Sequence, residues 1–479
     1  MPETIYDVAI IGSGPGGYTA AIRAGQYGLK TALIEKDDLL GGTCLHVGCI
    51  PTKALLYSAE VLDHVKKGKE WGLTNFENVG FDWKVVQDRK NKIVLKHAKG
   101  LEFLMKKNKV TTMQGYGRLT GPAKGGVHSI EVYVEGGGGA GGENTIVKAK
   151  NVILATGSEA RMLPNLKPDT KILTNIEILS INQVPKSLIV IGSGAVGVEF
   201  ASIFKSYGTA DVTVVEVLDQ LVPVEDVDVS KELQKQFTKR GIKCLTSTKV
   251  EKIEKTKDGV AVTYTSSDGK QTKQEAERVL VAIGRAPRTD NVGIEKTNIK
   301  LDRGFIPTNE WMETTEPGVF AIGDIVAGLP QLAHAGMMEG MVAVAKMAGK
   351  AARKVTKERV PGATYTEPEI GSVGLTEAKA KEAGYQVKVG KFPLVGNSKA
   401  TIVGSHDGFV KVVADAKYGE ILGVHIIGPK ATELIAEAVT AMDAEMTVEE
   451  MMNVIHAHPT LYEALGDGWA SVYGLQINV

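Results

Sequence analysis

The apolar positions of the chain fall into two textures. Nearly unbroken apolar runs at 5–11, 187–191 and 279–283 carry no polar alternation, so they predict strands buried on both faces of a parallel sheet. The first two are each followed by a helical segment, the alanine-rich 18–27 and then 198–207, and then by a further strand, 31–34 and 212–215. A strand–helix–strand unit therefore occurs twice, and the α/β class with two Rossmann-like domains is expected. A β-ribbon over 130–147 is interrupted by the glycine run 136–142, which reads as a loop tip. A strand at 152–158 returns to the first sheet, and 325–348 predicts a helix. From about residue 365 short β-branched strands (387–391, 409–413, 421–427) alternate with helical segments such as 432–444, an α+β pattern without a glycine fingerprint.

The turns after the two leading strands carry the same chemistry. Gly12, Gly14 and Gly17 fit Gly-x-Gly-x-x-Gly. The first glycine allows a tight turn, the second lets a pyrophosphate approach the backbone, and the third lets helix pack on strand. The helix then aims its positive end at the phosphates. Glu35 ends the next strand at the spacing of a ribose-binding acid. Gly192, Gly194, Gly197 and Glu216 repeat the set. An acid at 216, with no arginine before Ser230, favours NAD over its 2′-phosphorylated form. Glu199 reads either as a partner for Lys53 or as an acid at a helix N-terminus.

Cys44 and Cys49 follow the first unit in Gly-Gly-Thr-Cys-Leu-His-Val-Gly-Cys-Ile-Pro-Thr-Lys. In a regular helix residues five apart have Cα atoms about 8.6 Å apart, whereas a disulfide spans at most about 7 Å. A bond between them requires a bend, and Gly48 and Pro51 are the residues to supply it. Such a bridge is strained, more easily reduced, and suited to redox work; a structural bridge or two unrelated thiols are the alternatives. Lys53, four residues on, stabilises a Cys49 thiolate if the helix continues. Gly-Asp324 closes a strand, at the sheet end where ligands of open α/β folds bind. Near the C-terminus His458-Pro459-Thr460-Leu461-Tyr462-Glu463 offers a histidine and a carboxylate at a helix entrance, with Pro459 as its first residue. His456 and His458 form a His-x-His pair, and with no Cys or third His nearby no metal site is expected.

Length and charge narrow the class. The chain has 479 residues, with 56 basic and 56 acidic side chains and no charged arm, so neither nucleic acid nor a membrane surface is an expected partner. Three cysteines make no extracellular framework, and no apolar run is long enough to span a bilayer. A cytoplasmic protein is expected, or a mature mitochondrial matrix form whose leader has been removed.

The cysteine pair, both fingerprints, Gly-Asp324 and the His-Pro-Thr-x-x-Glu block together resemble the flavoprotein disulfide reductases over essentially the whole chain. Gly-Cys-Ile-Pro-Thr-Lys and His-Ala-His-Pro-Thr are similar to the lipoamide-oxidising branch. The C-terminus lacks the cysteine pair of mercuric reductases, and the NADP-clamping arginines of glutathione reductases are absent. The resemblance implies an FAD-binding domain (1–158 and 285–358), an NAD-binding domain (159–284) and a C-terminal dimerisation domain (359–479). It implies FAD held by Gly12, Gly14, Gly17, Glu35, Lys53, Thr156, Gly157, Asp324 and Ala333. NAD would be held by Gly192, Gly194, Gly197, Glu199, Glu216 and Gly284. Cys44, Cys49, His458 and Glu463 would be catalytic, the last two serving the cysteines of the other subunit of a homodimer. Its partner would be the lipoylated acyltransferase or carrier protein of a 2-oxo acid dehydrogenase or glycine cleavage complex. His46 and Ala335 depart from the Asn and Lys common in the family.

Overall fold

A computed structural model describes residues 4–134 and 144–478. The expected glycine loop 136–142 lies outside the described residues. The chain divides into two compact units, the first made of 1–51, 88–160 and 285–356, the second of 52–87, 161–284 and 357–479.

The first unit is built on a seven-stranded sheet among the described residues. Strand β1 (Ile5–Ile11) leads into helix α1 (Pro15–Gln26) and strand β2 (Thr31–Glu35). β1 pairs in parallel with β2 on one side and with the strand Thr145–Leu154 on the other. Val8, Ala9 and Ile10 in β1 and Ala32 and Leu33 in β2 are fully buried, as two covered faces require. The expected ribbon is present as His128–Tyr133 paired antiparallel with Thr145–Leu154. The latter runs on into the predicted return strand but ends at Leu154, and Ser158 instead opens a short strand, Ser158–Ala160, paired antiparallel with Arg285–Pro287. Val319–Ala321 adds at its far side in parallel.

In the second unit five parallel strands run in the order Ile242–Leu245, Asp211–Val215, Ser187–Ile191, Arg278–Val281, Ile172–Leu173. A three-stranded antiparallel ladder (Lys249–Lys255, Val260–Thr265, Gln271–Ala276) was not anticipated. Its last strand alternates exposed glutamine, lysine and glutamate with half-buried residues, so hydrophobicity hardly marks it. The C-terminal α+β region is a five-stranded antiparallel sheet whose two central strands, Phe409–Asp415 and Ile421–Gly428, are buried along their whole length. The helix Ala431–Asp443 covers one part of it, and Glu463–Ser471, with the fully buried Trp469, another. The architecture is the expected α/β class, with two Rossmann-like sheets and a C-terminal α+β sheet.

Candidate active site

The two glycine turns are built alike. Gly12 has φ +102°, and a Cβ there would lie 2.3 Å from the Ala155 carbonyl oxygen. A Cβ on Gly17 would lie 1.9 Å from the Gly12 oxygen. These two glycines are demanded by packing of the turn. A Cβ on Gly14, by contrast, meets nothing within 4 Å. Gly192 (φ +95°), Gly197 and Gly194 repeat this pattern: two crowded, one open. Each turn therefore leaves backbone open at the head of a long helix, the place where a pyrophosphate is held.

Both acids also secure their own turn. Glu35 accepts the Ser13 amide at 2.8 Å and the Ser13 hydroxyl at 2.7 Å with Oε2, and the Asp37 amide at 3.0 Å with Oε1. Glu216 accepts the Ser193 amide and hydroxyl, each at 2.8 Å, and the Leu218 amide at 2.9 Å. Spacing had suggested only the ribose. Each oxygen has more than one lone pair, so a ribose hydroxyl can still be accepted.

Between the cysteines the helix breaks. Helix α2 (Gly42–Val47) stops at Gly48, whose φ −144° and ψ −119° lie outside the helical region, and α3 (Cys49–Lys66) starts at once. A Cβ on Gly48 would come within 2.8 Å of the Thr43 oxygen and 3.1 Å of the Cys44 Cα. The fold back onto Cys44 thus needs glycine, and it makes Cys44 and Cys49 the close pair a redox disulfide requires. Pro51 does not bend the segment. It sits in the first turn of α3, where its missing N–H has no intrahelical partner to lose. Tyr18 lies in the field of both sulfurs: burial pushes its phenol up, and charge on Cys44 and Cys49 pushes it further. His46 is tied through Nε2 to the Leu40 carbonyl at 2.9 Å.

A polar cluster surrounds Asp324. Ser158 donates its hydroxyl to Asp324 Oδ2. Arg285 donates Nε to that hydroxyl at 2.6 Å and Nη2 to the Ser158 carbonyl at 2.8 Å, and its Nε stands 3.8 Å from Asp324. Burial pushes the Arg285 guanidinium down; Asp324 and, more weakly, Cys49 pull it back. Thr156 bonds the Arg288 carbonyl at 2.6 Å, and Gly157 accepts the Arg288 amide at 2.8 Å with φ +72°. Asp324 sits in the short turn Gly323–Ile325, and the helix begins only at Ala333 and ends at Met347. The predicted helix 325–348 was too long because Gly328 and Pro330 interrupt its start. Neither Ser158 nor Arg285 was singled out from the sequence, for they lie 127 residues apart.

In the second unit Lys53 Nζ contacts both oxygens of Glu199 at 2.8 Å. Glu199 is buried and beyond the first turn of its helix, Ala195–Ser206, so the ion pair, not the dipole, is its role. The Tyr365 amide donates to Glu199 at 3.0 Å, and the Tyr365 ring lies 4.6 Å from Lys53 Nζ. Gly284, φ +110°, accepts the Arg161 amide at 3.0 Å. The strength of such a pair rests on geometry and on a cation over an aromatic face.

His458 Nδ1 is 2.8 Å from Glu463 Oε1, whose other oxygen accepts the Thr460 amide at 2.8 Å. The Thr460 amide, then His458, hold the Glu463 carboxyl below its usual range. The histidine side chain is 73% exposed and its partner 27%. The predicted helix start at Pro459 is displaced: the His458–Pro459 bond is cis, and the helix begins at Glu463. A second pair stands beside it, His456 Nε2 at 3.0 Å from both Glu437 oxygens. Among the described residues no group of three or more metal-ligating side chains occurs. No helix among them is long and apolar enough to cross a membrane.

Cys44, Cys49, Asp324 and the first fingerprint thus share one unit, and Lys53, Glu199, the second fingerprint, His458 and Glu463 the other. Open backbone at Gly14, Gly157 and Gly323 beside the Asp324 cluster fits a dinucleotide that extends from the first turn, as FAD does.

Residues 6–340 match the pyridine nucleotide-disulphide oxidoreductase family, and residues 360–468 match its dimerisation domain. The chain is 45% identical to a dihydrolipoyl dehydrogenase of Rhizobium etli, with 99% of each chain covered. It is 44% identical to that of Bacillus subtilis, again over 99% of each. Among solved structures it superposes on LpdA of Mycobacterium tuberculosis with a TM-score of 0.87 and 27% identity, covering 96% of this chain and 98% of that one.

Proposed function

The chain belongs to the pyridine nucleotide-disulphide oxidoreductases, and on that premise we propose how its residues divide the work of oxidising dihydrolipoamide with NAD. The activity is dihydrolipoamide oxidation to lipoamide with reduction of NAD to NADH, and the cofactors are FAD and NAD. The observation that carries it is identity of 45% over essentially the full length to a protein of that activity.

Gly12, Gly14, Gly17 and Glu35 hold the adenosine diphosphate part of FAD, and Thr156, Gly157, Asp324 and Ala333 its flavin half. Bound FAD supplies the two-electron relay between the cysteine pair and NAD. Gly192, Gly194, Gly197, Glu216 and Gly284 hold NAD. His458, its Nδ1–H directed to Glu463, presents Nε2 as the base. It takes a proton from one substrate thiol, and the resulting thiolate attacks Cys44. The Cys44–Cys49 bond breaks, with its electron pair on Cys49. The second substrate thiol then displaces Cys44, closes the lipoamide disulfide and leaves both cysteines reduced. Lys53, held by Glu199 and Tyr365, provides positive charge at the cysteine end of its helix.

The dimerisation domain makes the protein a homodimer. Sharing of each active site across the dimer, docking to a lipoylated acyltransferase or carrier protein, and a cytoplasmic or matrix location complete the proposal. They are supported by the exposure of His458 beside its carboxylate. The test is steady-state turnover of dihydrolipoamide by the FAD-loaded protein. Rapid NADH formation with little NADPH formation is expected; equal use of NADP would overturn the role of Glu216.

A further inference from the structure

Glu339 is a carboxyl that none of these steps uses. It lies on the helix Ala333–Met347 and is 0% exposed. Its Oε2 accepts the Gly323 amide at 2.5 Å. Its Oε1 is equally buried and has no hydrogen-bond partner among the described residues. Gly323, φ +74°, opens the turn that carries Asp324. One carboxyl therefore fastens, from the helix side, the turn that presents another.

The surroundings of Glu339 decide its charge. Helix α1 packs against this helix through Gly16 and Ala20, where a Cβ on Gly340 would lie 2.8 Å from the Gly16 oxygen. That contact brings backbone and methyl groups and no cation. The charged group acting on Glu339 is Asp324, itself met by Ser158 and by Arg285 at 3.8 Å. A buried carboxylate with one unsatisfied oxygen and a like charge nearby is costly, and such groups keep their proton instead. Burial, opposed by the Gly323 amide and reinforced by Asp324, pushes Glu339 up to about 7.

We propose that Glu339 is a positioning residue for FAD: neutral, it clamps Gly323 and leaves Asp324 the single negative charge of the turn; ionised, it repels Asp324 and loosens the turn's hold on the cofactor. This rests on the assignment of Asp324 to FAD. The sign follows directly. The folded state binds the proton more tightly than the unfolded chain does. Glu339 is thus neutral at low pH; as pH rises through the folded value near 7 it still accepts the Gly323 amide but adds a second negative charge against Asp324. FAD that favours the neutral form must bind less tightly along the same rise.

The experiment measures FAD rebinding to the full chain stripped of flavin, by quenching of flavin fluorescence. For the wild type the dissociation constant should rise on the order of tenfold between about pH 6 and about pH 9, the factor that one unit of pKa difference represents. Glu339→Gln keeps an acceptor for Gly323 and cannot ionise, so its affinity should stay flat over that range. An infrared band of a protonated carboxyl, present in the wild type at the low end and lost at the high end, checks the same event without a variant. A wild-type slope retained in Glu339→Gln, or a band unchanged with pH, overturns the role of Glu339. Asp324→Asn separates the two readings: weakened binding at every pH supports the Asp324 assignment, and wild-type binding refutes it whatever Glu339 does.

Discussion

His458 and Glu463 show how much a residue type and a spacing can carry. The five-residue interval suggested a base and its orienter, and the structure places them 2.8 Å apart. The expected helix start at Pro459 did not survive, since the carboxylate reaches the ring from the first helical residue after a non-helical segment. The acids at 35 and 216 taught the reverse lesson. Their spacing spoke for ribose, while their bonds to Ser13 and Ser193, fixed by the fold of each turn, were invisible in a linear reading. At this scale His458→Gln is expected to lower dihydrolipoamide turnover by about 10²–10⁴-fold, the usual contribution of a positioned base, with FAD content unchanged. Steady-state rates and the flavin-to-protein ratio check it. A near-normal rate removes His458 from the role.

Among the elements, the parts dictated by local chemistry were the legible ones. Apolar strands ending in crowded glycines appear at both places expected, and so does the helix break at Gly48. The polar ladder 249–276 and the short turn at Asp324 depend on partners far along the chain. The joint around Lys411 is another long-range feature. This lysine, 1% exposed, bonds Asp226 at 2.9 Å, Asp228 at 3.0 Å and Glu377 at 2.9 Å. It ties the start of the helix Val227–Lys239 to the C-terminal sheet. Burial works to raise Asp226 and Asp228, and the Lys411 hydrogen bonds overcome it. At Glu377 the Lys381 and Lys411 bonds lead and burial opposes them. His425, buried beside them, is pushed toward its neutral form by its own burial. Depressed carboxyls contribute stability above their unfolded values, near 4, that is lost as pH falls through the folded ones. Lys411→Met leaves the burial of Asp226 opposed chiefly by the Asp228 amide and by His425, so that carboxyl rises from its depressed value and the cost grows as pH rises. The variant should lose about 3–5 kcal/mol near neutrality, as when one partner of a buried pair is removed. Urea unfolding should show that gap narrowing toward acid pH; a gap independent of pH would contradict the argument.

For the whole molecule, the sequence made the order of sheets legible: nucleotide-binding, nucleotide-binding, then α+β. It could not reveal that residues 52–87 cluster with the second unit, because that depends on where α3 and its neighbours pack. Exposed Ile455, Leu475 and Ile477 near the C-terminus suit a surface that a second copy covers. The central claim is that the Cys44–Cys49 pair of one chain is served by His458 and Glu463 of the other. It is tested by mixing two inactive homodimers, Cys44→Ser and His458→Gln, and following NADH formation while subunits exchange. Each mixed dimer would hold one site with both lesions and one intact site. Random exchange of equal amounts should therefore restore about a quarter of wild-type activity, as two-fold symmetry dictates. Activity that stays at the level of the parents after exchange is complete would contradict the account.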